Sequence, residues 1–121
     1  LPPRLAPEDV VAAVTPLAEP DATLHAYSTA RAYLGEKNNP LVRGMLAAIR
    51  AGGGRPGFVL KGGTSDMNVV GAAWDCPIIA YGPGDSALDH TPDEHLPLDE
   101  YDAAVRTLRH LIAHLPDRRA E

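Results

Sequence analysis

The run Pro77-Ile78-Ile79-Ala80-Tyr81 contains no charged residue and no apolar-polar alternation. A strand of this kind suits burial on both faces, as in a parallel sheet covered on each side, and it constrains how its neighbours are read. Upstream lies a second short apolar run, Gly57-Phe58-Val59-Leu60-Lys61, followed by the turn Gly62-Gly63-Thr64-Ser65-Asp66. The stretch "MNVVGAAW" then predicts a short helix, and a longer helix is predicted to begin near Leu98. Strand, helix, strand, loop and helix make a βαβα unit of the α/β class, its two strands parallel with a right-handed crossover. The loops Gly62–Asp66 and Gly82–His95 would then both leave the carboxyl ends of adjacent strands, the edge at which open α/β sheets bind ligands.

The flanking segments carry their own signals. Pro7 suits the first turn of a helix whose apolar stripe is Val10, Val11, Val14 and Leu17, ended by Pro16 and Pro20. Leu24, Ala26 and Ser28 alternate with Thr23, His25, Tyr27 and Thr29, which predicts a strand with one exposed face. Together these resemble half of an α+β unit. Asn39 and Pro40 are read as N-cap and first residue of a helix with Leu41, Val42, Met45, Leu46 and Ile49 on one face, stopped by Gly52-Gly53-Gly54. In the last helix, Tyr101, Val105, Leu108, Ile112 and Leu115 are read as the inward stripe. His110 and His114 stand four apart there, a metal-compatible spacing. Without an acidic partner they are read as a solvated or half-buried pair.

Composition narrows the function classes. A chain of 121 residues is one domain's worth, and a net charge of −5 with no basic stripe argues against nucleic acid. No apolar run approaches the ~20 residues that span a bilayer, and no secretory signal opens the chain. The single cysteine, Cys76, excludes an internal disulfide, fits a reducing cytoplasm and, placed before Pro77, is expected to be a buried thiol. The opening "LPPRLAPEDVV" has no initiator Met and reads as the exit from a strand, so a fragment is expected.

Two loops carry the chemistry. In "KGGTSDMN" the glycines let backbone approach a ligand, and Thr64, Ser65 or Asp66 can cap the following helix, whose amides attract anions. The competing reading is a plain capped turn, and no Lys-Ser/Thr follows the glycines as a Walker A loop requires. "GPGDSALDHTPDEH" gathers Asp85, Asp89, Asp93 and Glu94 around His90 and His95. Its competing reading is an acidic surface turn in which Glu94 reaches back to the Thr91 amide as a capping box. The acids do not fall at EF-hand positions, and one imidazole cannot hold zinc by itself.

Taken together, "KGGTSDMNVV" and "CPIIAYGPGDSALDHTPDEH" resemble the C-terminal end of the M20 family of co-catalytic metallopeptidases and deacylases. Acetylornithine deacetylase, succinyl-diaminopimelate desuccinylase and carboxypeptidase G belong to that family. The pattern is most similar to its lysine-biosynthesis branch, which releases lysine or ornithine from the amino-group carrier protein LysW, and the resemblance covers nearly the whole chain. It implies that residues 1–31 close a lid (dimerisation) domain and residues 32–121 form the C-terminal part of a catalytic domain. It implies that His90, in an H-x-x-x-E pattern with Glu94, is a metal ligand oriented by Asp89 and Glu94. Gly63, Thr64, Ser65, Asp66 and Asn68 would line the substrate pocket. Desuccinylases carry Gly-Arg where this chain has Met67-Asn68, so recognition of a substrate carboxylate at that position is not expected.

The family's other ligands, a His-x-Asp motif, a Glu-Glu pair and a further acid, have no counterpart in this sequence, and neither does the general-base glutamate. This chain by itself is therefore expected to be inactive and to hold neither of the two zinc or cobalt ions of an intact site. The implied substrate is LysW-bound lysine or ornithine, or else a small N-acyl amino acid, in a cytoplasmic homodimer joined through the lid. If the chain is naturally this short, a non-catalytic binding module is the alternative.

Overall fold

Four helices account for the regular structure in the computed structural model, which describes residues 4–115. They are α1 (Pro7–Val14), α2 (Pro40–Ala51), α3 (Asp66–Ala73) and α4 (Leu98–His114), with a 3-10 turn at Thr15–Leu17. The chain divides into two units. One comprises the chain up to Gly35 together with Val59–Ile78, and the other comprises Glu36–Phe58 together with the chain from Ile79 onward.

In the first unit, α1 starts where the sequence predicts. Pro7 opens it, and the Asp9 carboxylate accepts from the Ala6 amide at 2.9 Å, satisfying a donor that the helix itself leaves unpaired. Glu8 and Asp9 sit at the positive end of the helix dipole. Pro16 enters the 3-10 turn that ends the element, and the Thr15 hydroxyl donates to the Val11 carbonyl at 2.7 Å. Helix α3 is tied to the 31–35 segment. The Asn68 carboxamide accepts from the Ser65 amide at 2.9 Å and donates to the Arg31 carbonyl at 2.7 Å. The Tyr33 ring lies so close over Gly71 that a methyl group there would overlap it.

The second unit is a helix pair. Asn39 caps α2 as predicted: its buried side chain accepts from the Val42 amide at 2.9 Å and donates to the Glu36 carbonyl at 3.0 Å. At the other end the Gly54 amide donates to Ile49 and the Gly53 amide to Arg50, with Gly53 at φ +82°. This is a Schellman termination, for which the left-handed residue is glycine because a side chain there meets the following carbonyl. Val42, Met45 and Ala48 of α2 are buried, and Met45 and Ala48 form a small core with Leu111 of α4, flanked by Leu41, Ile49 and Ile79.

Two expectations, the inward face of α4 and the burial of Cys76, are corrected, and the expected strands do not form among the described residues. The buried residues of α4 are Ala104, Thr107 and Leu111, whereas Tyr101, Val105, Leu108, Ile112 and Leu115 are exposed, Ile112 at 71%. The helices meet through small residues because these allow close approach, and choosing the bulkiest stripe selects the neighbouring face. No strand forms among the described residues, at Thr23–Thr29, Gly57–Lys61 or Pro77–Tyr81. A strand exists only through a partner's hydrogen-bond ladder, and the apolar residues Val59 and Leu60 remain 82% and 81% exposed. Ser28, at φ 50°, breaks the extended geometry that the first of these segments would need. Cys76 is exposed rather than buried, for the same want of a covering sheet. The expected strand exit at Leu1-Pro2-Pro3 lies outside the described residues.

Gly71 gives a stability test. Glycine to alanine inside a helix ordinarily gains about 1 kcal/mol, but here the methyl group collides with Tyr33. Gly71→Ala is expected to destabilise by about 1–3 kcal/mol, read as a lowered urea midpoint, whereas Gly71→Ala/Tyr33→Ala should recover part of the loss. A midpoint raised by Gly71→Ala alone would show that the ring does not hold α3.

Candidate functional site

The loop from Gly82 to His95 is built as consecutive turns, each closed by the loop's own polar groups or by α4. Gly84, at φ +94°, donates its amide to Glu100 Oε2 in the first turn of α4 at 3.0 Å. Asp85 accepts from the Ala87 amide through Oδ1 at 2.9 Å and from the Leu88 amide through its carbonyl at 3.0 Å, an Asx-type turn. The Leu88 carbonyl then accepts both the amide of Thr91, at 3.0 Å, and its hydroxyl, at 2.8 Å.

His90 follows in the left-handed region, at φ 65°. For a residue with a Cβ this costs roughly 1–2 kcal/mol, and such residues concentrate where function requires a particular side-chain direction. Its amide donates to Glu94 Oε2 at 2.9 Å, while the Glu94 amide donates to the Thr91 carbonyl at 3.1 Å. The four-residue interval from His90 to Glu94 is thus one closed turn. The capping box of the competing reading does not form: Glu94 takes the His90 amide rather than that of Thr91, and no helix begins between Gly82 and Pro97. The His95 ring donates from Nδ1 to the Asp93 carbonyl at 2.7 Å, which engages it within the loop.

The side chain of His90 is exposed. Among the described residues no three His, Cys, Asp or Glu side chains gather in a way that could hold a metal ion. Around His90 the described residues do not complete a metal site; His90 is a single donor, presented by a turn that Glu94 holds shut.

The second loop, Gly62–Asp66, belongs to the first unit. Nothing lies within 4 Å of where a Cβ would stand on Gly62 or Gly63, so the backbone there is open to approach. Ser65 is the N-cap of α3, and Asp66 is its first residue, at the positive end of the helix. Gly63, Thr64, Ser65 and Asp66 are all exposed, while Asn68 is half-buried with both ends of its carboxamide engaged by backbone. Sequence reasoning missed that engagement, although Ser65-x-x-Asn68 has the capping-box interval that could have signalled it.

The profile of peptidase family M20/M25/M40 matches residues 2–114. The chain belongs to this family. It is 47% identical over 118 residues to a [LysW]-lysine hydrolase of Deinococcus radiodurans, a match covering 95% of this chain and 32% of that protein. It is 45% identical over 84 residues to a putative [LysW]-lysine/[LysW]-ornithine hydrolase of Thermococcus kodakarensis, covering 69% of this chain and 24% of that protein. A [LysW]-lysine/[LysW]-ornithine hydrolase of Saccharolobus islandicus is 41% identical over 70 residues, 58% of this chain and 20% of its own. The chain thus spans about a third or less of the M20 relatives it matches.

The His90 turn offers a local test. Glu94→Ala removes the acceptor of the His90 amide, so hydrogen exchange at that amide is expected to accelerate by about fivefold, the equivalent of a single hydrogen bond worth near 1 kcal/mol. Glu94→Gln keeps an acceptor oxygen and should retain part of the protection. Equal exchange rates in all three proteins would show that Glu94 does not close the turn.

Proposed function

We propose that the protein carrying this chain is a metal-dependent amidohydrolase that releases lysine or ornithine from a LysW-type carrier, and that the chain is the C-terminal part of it. The observation that carries this reading is the 47% identity with a [LysW]-lysine hydrolase over 95% of the chain, within a family match over nearly its full length. The reaction adds water across an amide. The C–N bond breaks, the carrier keeps a carboxylate, and the amino acid leaves with its α-amino group.

In this reading His90 supplies one imidazole to a divalent metal centre, zinc or cobalt, whose remaining ligands and general base are not in this chain. The turn made by Glu94 supports the assignment, because a closed turn fixes the direction of the exposed imidazole beforehand. Asp89 adjoins it and is proposed to help orient it. The open backbone at Gly62-Gly63 with Thr64, Ser65 and Asp66 is proposed as substrate wall, with Asn68 holding that wall to the 31–35 segment. Asn68, standing where desuccinylases carry an arginine, favours a substrate recognised by something other than an acyl carboxylate.

The architecture proposed for the intact protein is α/β, with Gly57–Lys61 and Pro77–Tyr81 as parallel strands of a catalytic sheet that also covers the exposed apolar residues Val59 and Leu60. Residues 1–31 are proposed as the end of a lid through which two copies pair, and residues 32–121 as catalytic. Among the described residues no helix is long and apolar enough to cross a membrane. A cytoplasmic location is proposed on the single cysteine and the biosynthetic substrate.

The test is hydrolysis by the full-length protein of LysW-linked lysine against N-acetyl-lysine, with zinc or cobalt supplied. LysW-lysine is expected to be preferred; preference for the small acyl amino acid would move the assignment to a deacylase, and no hydrolysis of either would favour a binding module. In the same assay His90→Ala is expected to lower kcat by about a thousandfold, or ~4 kcal/mol of barrier. Because the side chain is exposed, the melting temperature of the metal-free protein should scarcely move. Near wild-type kcat in His90→Ala would return the loop to the status of an acidic surface turn.

A further inference from the structure

The last turns of α4 hold two histidines, His110 and His114, that the proposed reaction does not use. Four residues apart, they share one helix face, the interval at which two imidazoles on a helix can ligate a single ion. Their rings are stacked, with centroids 4.1 Å apart and planes 21° from parallel. In this stack the in-plane lone pairs run nearly parallel, whereas two imidazoles on one tetrahedral ion approach it from directions roughly 109° apart, so binding requires the His110 ring to turn out of the stack about its side-chain torsions.

The hydrogen bonding is suited to ligation. His114 Nδ1 lies 2.7 Å from the His110 carbonyl oxygen, which can only accept, so Nδ1 carries the proton. That places the neutral lone pair of His114 on Nε2, the arrangement by which metal-binding histidines are oriented through a carbonyl partner. The site also falls in the last turn of a seventeen-residue helix, whose negative end favours a cation. Arg106 and Arg109, the nearest cations along the helix, are exposed, so water and salt screen their repulsion. Leu111, between the two histidines, is buried against α2 and anchors this part of α4.

The geometry points to His110 and His114 as a bidentate site for a borderline divalent transition cation such as Ni²⁺ or Zn²⁺, its remaining positions open to water. Imidazole is the ligand such ions favour, whereas calcium and magnesium require oxygen. The site is separate from His90 and does not depend on the hydrolytic reading.

Titration calorimetry with Ni²⁺, and separately with Zn²⁺, on full-length protein already loaded with its own metal tests this. One additional equivalent is expected in the wild type. It should weaken by more than about tenfold in His110→Ala and in His114→Ala, since even indirect partners of a metal ligand cost that much. Ile112→His/His114→Ala keeps two imidazoles but moves one off the shared face, and it should also lose the equivalent. His90→Ala should keep it, which separates this site from the catalytic proposal. If His114→Ala or the register-shifted variant takes up the ion as tightly as wild type, or if the wild type takes up no additional equivalent, the pair is a stacked surface contact and the site does not exist.

Discussion

Helix α2 can lie against α4 because two of its small residues, Gly44 and Ala48, lie on the face it turns to α4. Ala48 is only 1% exposed, and a methyl group on Gly44 would stand 2.9 Å from Leu111 Cδ1. Close approach of this kind lets one leucine and one methionine serve as a core for the pair, since each gains contacts on several sides. It also explains the care taken at the ends of α2. A twelve-residue helix is marginal by itself, so a buried asparagine cap at one end and a Schellman closure at the other help keep it formed before packing contributes. In the second unit the described helices are thus set by termini and small residues more than by bulk.

That constraint accounts for which parts of the fold were legible in the sequence. Helix starts and stops were readable because they are local: Pro7 at α1, Asn39-Pro40 and Gly52-Gly53-Gly54 at α2, and Ser65 with Asp66 at α3. The face of α4 was not readable, since Tyr101, Val105, Leu108 and Ile112 form the more apolar stripe and only the spacing to α2 selects Ala104, Thr107 and Leu111 instead. The strand segments form no ladder among the described residues, for a different reason. Their apolar character is local, but a ladder is a property of two segments, and none pairs these among the described residues. Phe58, Val59 and Leu60 therefore retain strand-like composition without strand structure.

The candidate site shows the same division between local and distant information. The interval from His90 to Glu94 was visible in the sequence, but the bond it makes was assigned to the wrong amide, because a T-x-x-E interval and an H-x-x-x-E interval overlap in these residues. Periodicity cannot choose between them; the left-handed backbone at His90 does, since it turns that amide toward the carboxylate. Asn68 is similar. Its polar side chain in a glycine-rich loop suggested a ligand contact, and the structure gives both of its hydrogen-bonding ends to backbone, one of them 37 residues away in sequence.

The acids of the Gly82–His95 loop combine these points into one argument about function. A loop rich in carboxylates beside a lone imidazole suggests a cation cage, yet Glu94 and Asp85 each hold a backbone amide of the loop, and Glu100 reaches in from α4 to hold a third. Each such bond removes a carboxylate oxygen from the set available to an ion and adds rigidity to the turn. In the proposed reading, carboxylates used in the way that Asp85 and Glu94 are would fix the direction of one donor in advance, which reduces the ordering required when that donor binds. That is what the proposed role of His90, one ligand of a centre completed by other parts of the protein, would require. The chain, which spans about a third of a [LysW]-lysine hydrolase it resembles, is in that reading a contributor to a site rather than a self-contained calcium or zinc loop.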